Sequence, residues 1–349
     1  MPAPNHRQAH SASAGFISIV VPVFNERDVL PLFLSEIREV SSKNQIDVEL
    51  VFVDDGSTDT SVNYLKNALR TDTRMKIVSL SRNFGKEAAL SAGLENASGD
   101  AVIIMDADLQ DPPEQIPHMI NAWQLGAEVV SMKRNSRLSD SVCKRFSAHF
   151  YYRILGLASQ THIPSDIGDF RLLSRKAVDA LLSLPERNRY MKGLFAWIGM
   201  PTKTLLYDRP PRPAGMTKWS IADLFGLALE GITSFSTSPL RIATVIGLAA
   251  ALIGAFFGIW IVSKAFFLGS VVSGYPSLVA VITFLGGIQL FSIGIVGEYV
   301  GKTYIETKQR PLYIIHSITE NTKANTGNSV TNSDKLISVM TTKRKQYVS

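Results

Sequence analysis

Two stretches of the chain carry no charged side chain: Ile242–Ser263 and, beyond a single Lys264, Ala265–Gly297. Where those stretches go limits everything else the chain can fold into. A bilayer's hydrocarbon core is roughly 30 Å thick and takes about 20 apolar residues in a helix rising 1.5 Å per residue. The first stretch meets that length as it stands. The second meets it from Ser277 or Leu278 onward, because Ser273-Gly274-Tyr275-Pro276 has the residues of a turn. Two spans are therefore expected, at residues 240–264 and 277–300. A pair of buried helices in a water-soluble core would need a water-facing side, and Lys264 alone does not make one.

Charge decides which way such a hairpin points. The chain's net charge is +6, but its basic residues form no single dense block, so a nucleic-acid surface is not expected. Arg241 precedes the first span, and Lys302, Lys308 and Arg310 follow the second. The positive-inside rule then places both polar arms in the cytoplasm and the hairpin tip outside. The single cysteine, Cys143, excludes an internal disulfide and fits a reducing compartment. Between Val142 and Phe146 it looks like a small hydrophobe on a helix face. Residues 1–15 lack the apolar core of a signal peptide and are expected to be a flexible tail, which leaves targeting to the spans. Residues 301–318 are expected to be a cytoplasmic juxtamembrane segment. Residues 319–349, rich in Asn, Thr, Ser and Lys, are expected to be a disordered tail.

Between the first tail and the spans, short apolar runs alternate with helical spacing. Phe16–Val21 ends at Pro22 as a buried strand should, and Asp28–Val40 follows as a helix, with Pro31 tolerable in its first turn. Val48–Val53, Met75–Leu80 and Ala101–Met105 are further strands. Helices are expected to Leu69, capped by Ser57 or Thr58, and over Glu87–Asn96. A helix ending at Leu125, a strand near 127–132, a long helix near 139–155, a strand at 169–173 and a helix at 175–182 complete residues 16–215. The expected fold is α/β, a mainly parallel sheet flanked by helices, with ligand loops at the carboxyl ends of its strands. Residues 216–238, with Trp219, Ile221, Leu224, Phe225 and Ile232 among Asp223 and Glu230, read as an amphipathic interfacial helix.

Two acidic clusters fall at strand ends, which puts them on one rim. Asp106 and Asp108, at i and i+2 on a turn leaving a strand, can reach one hard divalent ion that also takes diphosphate oxygens and water. Asp54 and Asp55, beside the turn glycine Gly56, can accept hydrogen bonds from a base or ribose. Pro22, Phe24, Asn25 and Glu26 follow the first strand and could line the same pocket. No glycine-rich phosphate loop follows that strand, which argues against a dehydrogenase and a P-loop ATPase. Asp166 and Asp169 stand before Phe170. Either could act as a base toward an acceptor hydroxyl or hold an acceptor in place, and Asp169 is preferred. A phosphate acceptor is already anionic and would need orientation more than deprotonation. Cations suited to phosphate oxygens recur at Arg134, Arg137, Arg187, Arg189, Lys192, Arg209, Arg212 and Lys218.

With these residues in view, the sequence resembles the family-2 glycosyltransferases, in particular the polyprenyl-phosphate branch of bactoprenol glucosyltransferases and dolichyl-phosphate mannose synthases. The matching pieces are Val21-Pro22-Val23-Phe24-Asn25-Glu26, Val53-Asp54-Asp55-Gly56-Ser57-Thr58-Asp59 and Ser81-Arg82-Asn83-Phe84-Gly85-Lys86-Glu87. They continue with the run from Met105 to Glu114, Gly168-Asp169-Phe170-Arg171-Leu172, and Arg212-Pro213-Ala214-Gly215-Met216-Thr217-Lys218. The resemblance implies a GT-A fold, inversion at the anomeric carbon and dependence on Mg²⁺ or Mn²⁺. It places Asp55 and Lys86 at the nucleotide sugar, Asp106 and Asp108 at the metal and diphosphate, and Gln110 close by. It also implies UDP-glucose as donor, undecaprenyl phosphate as acceptor, a bacterial inner membrane and a homotetramer. No Gln-x-x-Arg-Trp is present and only two spans are expected, which favours single transfer over polymer synthesis. GDP-mannose as donor, a lipid hydroxyl as acceptor, or a membrane scaffold with a vestigial nucleotide site are the competing expectations.

Overall fold

The computed structural model describes residues 15–135, 167–187, 189–208, 233, 238–268 and 274–321. The long helix expected near 139–155 with Cys143, and almost all of the interfacial helix expected at 216–238, lie outside the described residues.

An eight-stranded sheet, in the order β7-β5-β6-β4-β1-β2-β3-β8, organises the polar arm. Its strands are β1 Ile17–Val23, β2 Val48–Asp54, β3 Met75–Leu80, β4 Ala101–Ile104, β5 Val129–Arg134, β6 Ile167–Ser174, β7 Thr202–Tyr207 and β8 Ile315–Glu320. Helices α1 Leu30–Lys43, α2 Ser61–Leu69, α3 Lys86–Asn96, α4 Ile116–Gln124, α5 Arg175–Leu182 and α6 Met191–Trp197 flank it. β1, β2, β3 and β4 run parallel to one another, with one helix between each and the next in sequence. The near-continuous apolar runs of β1 and β2 follow from burial on both faces. One face packs Ile19, Val21, Leu50 and Phe52 with α1, and the other packs Val20, Val51 and Val53 with α3.

α3 lies unusually close to the sheet. A Cβ on Gly93 would sit 2.2 Å from a methyl of Val20, so only glycine allows this approach. The chain moves outward from β1 through β2 to β3, then returns to place β4 on the other side of β1. That reversal opens a crevice at the carboxyl ends of β1 and β4, where ligands bind in doubly wound sheets.

Several elements differ from expectation. β6 runs antiparallel to β4 and β5, so the sheet is mixed. Neither Ser57 nor Thr58 caps α2; the helix starts at Ser61, whose N–H is taken by Asp59 Oδ1 at 2.9 Å. β7 and β8 were not expected. β8 pairs antiparallel with β3, so the chain leaving the membrane segment becomes the sheet's edge, and the boundary expected between 318 and 319 falls inside this strand. Its short alternating pattern carries too little apolar content to stand out next to a polar tail.

The apolar stretches form α7 Ser238–Leu268 and α8 Tyr275–Thr307, which pack on each other. Both exceed the expected spans, because a helix continues past the point where the hydrocarbon ends. Pro276 sits in the first turn of α8, where no intrahelical N–H is required of it. Each helix holds a segment long and apolar enough to cross a membrane, Pro239–Trp260 and Phe284–Thr307, with almost none of it covered by protein.

Candidate active site

The rim is built at the carboxyl ends of β1, β2 and β4 and the amino end of the antiparallel β6. After β1, Asn25 adopts a left-handed backbone (φ 56°), which asparagine tolerates. Its Oδ1 accepts N–H bonds from Thr58 at 2.8 Å and Asp59 at 3.3 Å, and its own N–H donates to Ser57 Oγ at 3.0 Å. The Glu26 N–H donates to Ser61 Oγ at 3.0 Å. The two loops are thereby stitched together, with Pro22 in register with Val53 at the end of the pair and Phe24 partly exposed beyond it.

After β2, Asp54 accepts the Ser57 N–H at 3.1 Å. Asp55 is buried and accepts the N–H groups of Phe84 at 2.7 Å and Gly85 at 2.9 Å at the start of α3. Burial raises the Asp55 pKa against those two donors. Gly56 makes this meeting possible: with φ 72° and a hypothetical Cβ only 2.6 Å from the Arg82 carbonyl carbon, no other residue fits.

After β4 the acidic turn is held from below. Asp111 Oδ2 accepts the Asp106 N–H at 3.2 Å, and Asp111 Oδ1 accepts from the Tyr207 hydroxyl at 3.3 Å. Burial first and Asp106 second push the Asp111 carboxyl up to about 7. Leu109 takes a left-handed backbone (φ 56°), a costly conformation for leucine, and the Gln110 N–H then reaches Asp108 Oδ1 at 3.1 Å.

Lys86 joins these parts. Its ammonium lies 2.7 Å from Asp106 Oδ1 and 2.7 Å from Asp169 Oδ2, the latter delivered by β6. A cation in the first turn of a helix opposes the helix dipole, so the two carboxylates have to outweigh it. They do: despite burial, Asp106 and Asp169 hold the Lys86 pKa well above its ordinary value. Conversely, burial would raise the Asp169 pKa, but Lys86 and Lys192 outweigh it and keep this carboxyl well below the usual range. Beside it Arg171 is buried, stacks 3.6 Å over the Phe195 ring and donates to the Gly168 carbonyl at 2.7 Å. Glu87 Oε2 accepts the Met191 N–H at 3.1 Å; burial, then Asp169, pushes its carboxyl up to about 7.

Of the expected site residues, the structure brings Pro22, Phe24, Asn25, Glu26, Asp54, Asp55, Lys86, Asp106, Asp108, Gln110 and Asp169 to one rim. Lys192 joins through its charge on Asp169, and Arg134 ends β5 on the same side of the sheet. Arg189 goes elsewhere: it donates to the Leu184 and Glu186 carbonyls and to Ser91 Oγ. Asp166, Arg137, Arg212 and Lys218 lie outside the described residues. Sequence reasoning assigned no role to Glu87, Asp111 or Arg171, although all three stand inside the quoted motifs. Tyr207 had no signal, because β7 was not expected.

Among the described residues, no group of three or more His, Cys, Asp or Glu side chains forms a self-sufficient metal site. The donors at Asp106 and Asp108 are hard carboxylate oxygens, and Asp106 already has a cation against both of its oxygens. Hard carboxylate oxygens suit Mg²⁺ or Mn²⁺, which would displace the Lys86 ammonium from Asp106 and take its other ligands from substrate and water.

A sheet with its acidic turns at a topological switch point, joined to an apolar hairpin, defines a membrane-bound glycosyltransferase with a GT-A-like core. Comparison with known proteins agrees: residues 18–182 match Glycosyl transferase family 2, and residues 238–303 match the GtrB C-terminal hairpin. The chain belongs to glycosyltransferase family 2. It is similar to the prophage bactoprenol glucosyl transferase homolog of Escherichia coli (strain K12), at 48% identity over 86% of this chain and 99% of that protein. It is likewise similar to the bactoprenol glucosyl transferase of Shigella phage SfV, at 48% identity over 86% of this chain and 97% of that one. Among solved structures, glucosyl-3-phosphoglycerate synthase from Mycobacterium tuberculosis aligns at 18% identity with a TM-score of 0.45, over 63% of this chain and 76% of that chain.

Proposed function

We propose that this chain moves a hexose, glucose in the favoured reading, from UDP-sugar to polyprenyl phosphate, giving polyprenyl-phosphate sugar and UDP. The observation that carries the acceptor class is the Lys86–Asp169 ion pair at 2.7 Å, with the Asp169 carboxyl held far below its ordinary range. A general base works best with a pKa near the working pH, so Asp169 is a poor base for an alcohol. It is well suited to orient an acceptor that is already anionic. The names of the similar proteins support glucose and bactoprenol.

In this reading Asn25, Glu26, Asp54 and Asp55 shape the nucleoside end of the site. Asp106 and Asp108 would hold Mg²⁺ or Mn²⁺, which when bound supplies positive charge against the departing diphosphate. An acceptor phosphate oxygen attacks the anomeric carbon from the face opposite the nucleotide. The carbon–oxygen bond to the β-phosphate breaks, and its electron pair leaves with UDP. Lys86, placed between the donor-side Asp106 and the acceptor-side Asp169, keeps the two halves in register. Lys192 and Arg134, with Arg137, Arg212 and Lys218, attract the acceptor phosphate. The reading extends to a bacterial inner membrane, cytoplasmic polar arms and a homotetramer. The return of β8 to β3 supports placing the exit of α8 on the side of the catalytic sheet.

The test is the purified chain in detergent with polyprenyl phosphate, divalent metal and a panel of labelled UDP- and GDP-sugars. Transfer from UDP-glucose is expected. Transfer from GDP-mannose alone would replace the donor, and no transfer from any donor by folded protein would end the reading.

A further inference from the structure

The cations at the cytoplasmic end of α8 do more than orient the hairpin. A cavity of about 250 Å³ opens where α8 ends, lined by Arg187, Tyr304, Ile305, Lys308, Arg310, Pro311 and Leu312. Its chemistry is divided. Three side chains are cationic, and the others offer apolar surface. Among the described residues, no carboxylate forms an ion pair with Arg187, Lys308 or Arg310. The acid on the same helical turn, Glu306, accepts the Arg187 backbone N–H with both oxygens, at 2.8 and 3.1 Å.

The cavity also has a direction. Val296, Val300 and Tyr304 are exposed at four-residue spacing, so they form one face of α8, and Lys308 continues that face. The Lys308 ammonium sits 4.2 Å over the Tyr304 ring. An apolar strip thus climbs the spanning helix and ends in three cations at its polar end, the pattern of a long hydrocarbon chain that ends in a phosphate. Among the described residues, no hydrogen bond or ion pair joins these three cations to Asp106, Asp108 or Asp169.

We infer that Arg187, Lys308 and Arg310 form a binding site for the phosphate of a membrane lipid, with its hydrocarbon lying along Val296, Val300 and Tyr304. The phosphate can belong to a bilayer phospholipid or to the polyprenyl acceptor waiting before transfer, and the experiment separates the two. The full chain in neutral detergent, with no donor sugar, is titrated with phosphatidylglycerol or with undecaprenyl phosphate, and bound lipid is counted by native mass spectrometry. Diacylglycerol and undecaprenol serve as phosphate-free counterparts. Each of K308Q and R310Q, both at exposed positions that leave the fold intact, is expected to weaken binding roughly fivefold. Replacing all three cations with glutamine is expected to weaken it on the order of a hundredfold. K264Q, at the other end of the hairpin, is expected to change nothing.

Loss confined to phosphatidylglycerol assigns the site to the bilayer, and loss confined to undecaprenyl phosphate assigns it to the acceptor. Loss of both assigns it to the shared phosphate. Unchanged binding of both lipids by R310Q, K308Q and the triple variant would overturn the inference. Because no sugar is transferred, this outcome is independent of the proposed reaction.

Discussion

Phe52 and Phe256 are the same side chain in opposite surroundings. Phe52 on β2 has none of its surface exposed and stacks edge-on against Phe33, with ring centroids 6.1 Å apart. Phe256 on α7 leaves 76% of its surface outside the protein. The sheet buries its hydrophobes and lines one rim with charge. The described residues of the hairpin turn their hydrophobes outward. In water only the first arrangement is stable, so the second has to be completed by lipid. The two regions divide the work accordingly: the sheet holds charges at fixed distances, and the hairpin sets where they stand relative to the bilayer.

That contrast can be tested from both sides. The largest effect is expected at the rim, where Asp108→Ala should lower the rate of sugar transfer by about a thousandfold while the protein still melts cooperatively. Next comes the sheet core: Phe52→Ala should cost about 3–5 kcal/mol of stability, read as a lower denaturation midpoint of the polar domain. A smaller effect attaches to Glu87. Its folded pKa is raised to about 7, so the native state holds more protons than the unfolded chain between about pH 4.5 and 7, and stability should fall as pH rises through that window. Glu87→Gln keeps an acceptor for the Met191 N–H, and should flatten that fall and stabilise the protein by on the order of 1–3 kcal/mol at pH 8. The smallest is Phe256→Ala, expected to shift the polar domain's midpoint by less than about 0.5 kcal/mol. A loss comparable with that of Phe52→Ala would mean that the hairpin packs inside the protein, and the comparison would fail.

The same contrast explains what was legible in the chain. The hairpin and β1 to β4 declare themselves through unbroken apolar runs, and the strand ends place Asp54, Asp55, Asp106 and Asp108 on one rim before any coordinates. β7 and β8 are short edge strands whose residues are mostly exposed or half-buried, so they carry little signal, and with β7 went Tyr207 and its bond to Asp111. Arg189 looked like a phosphate ligand because arginine suits that role. Only tertiary structure shows that its donors go to Leu184, Glu186 and Ser91. The Lys86 bridge was hidden for a similar reason, since three sequence-distant residues converge only once α3, β4 and β6 are assembled.

Everything functional rests on Asp169 being an ionised partner of Lys86 and not a poised base. The direct measurement is the pH profile of transfer from UDP-glucose to undecaprenyl phosphate, run beside undecaprenol. The expected result is transfer to the phosphate alone, flat above pH 7 and falling only near pH 6, where a phosphate monoester takes up its second proton. Efficient transfer to the alcohol, with an acidic limb that Asp169→Asn removes, would contradict it.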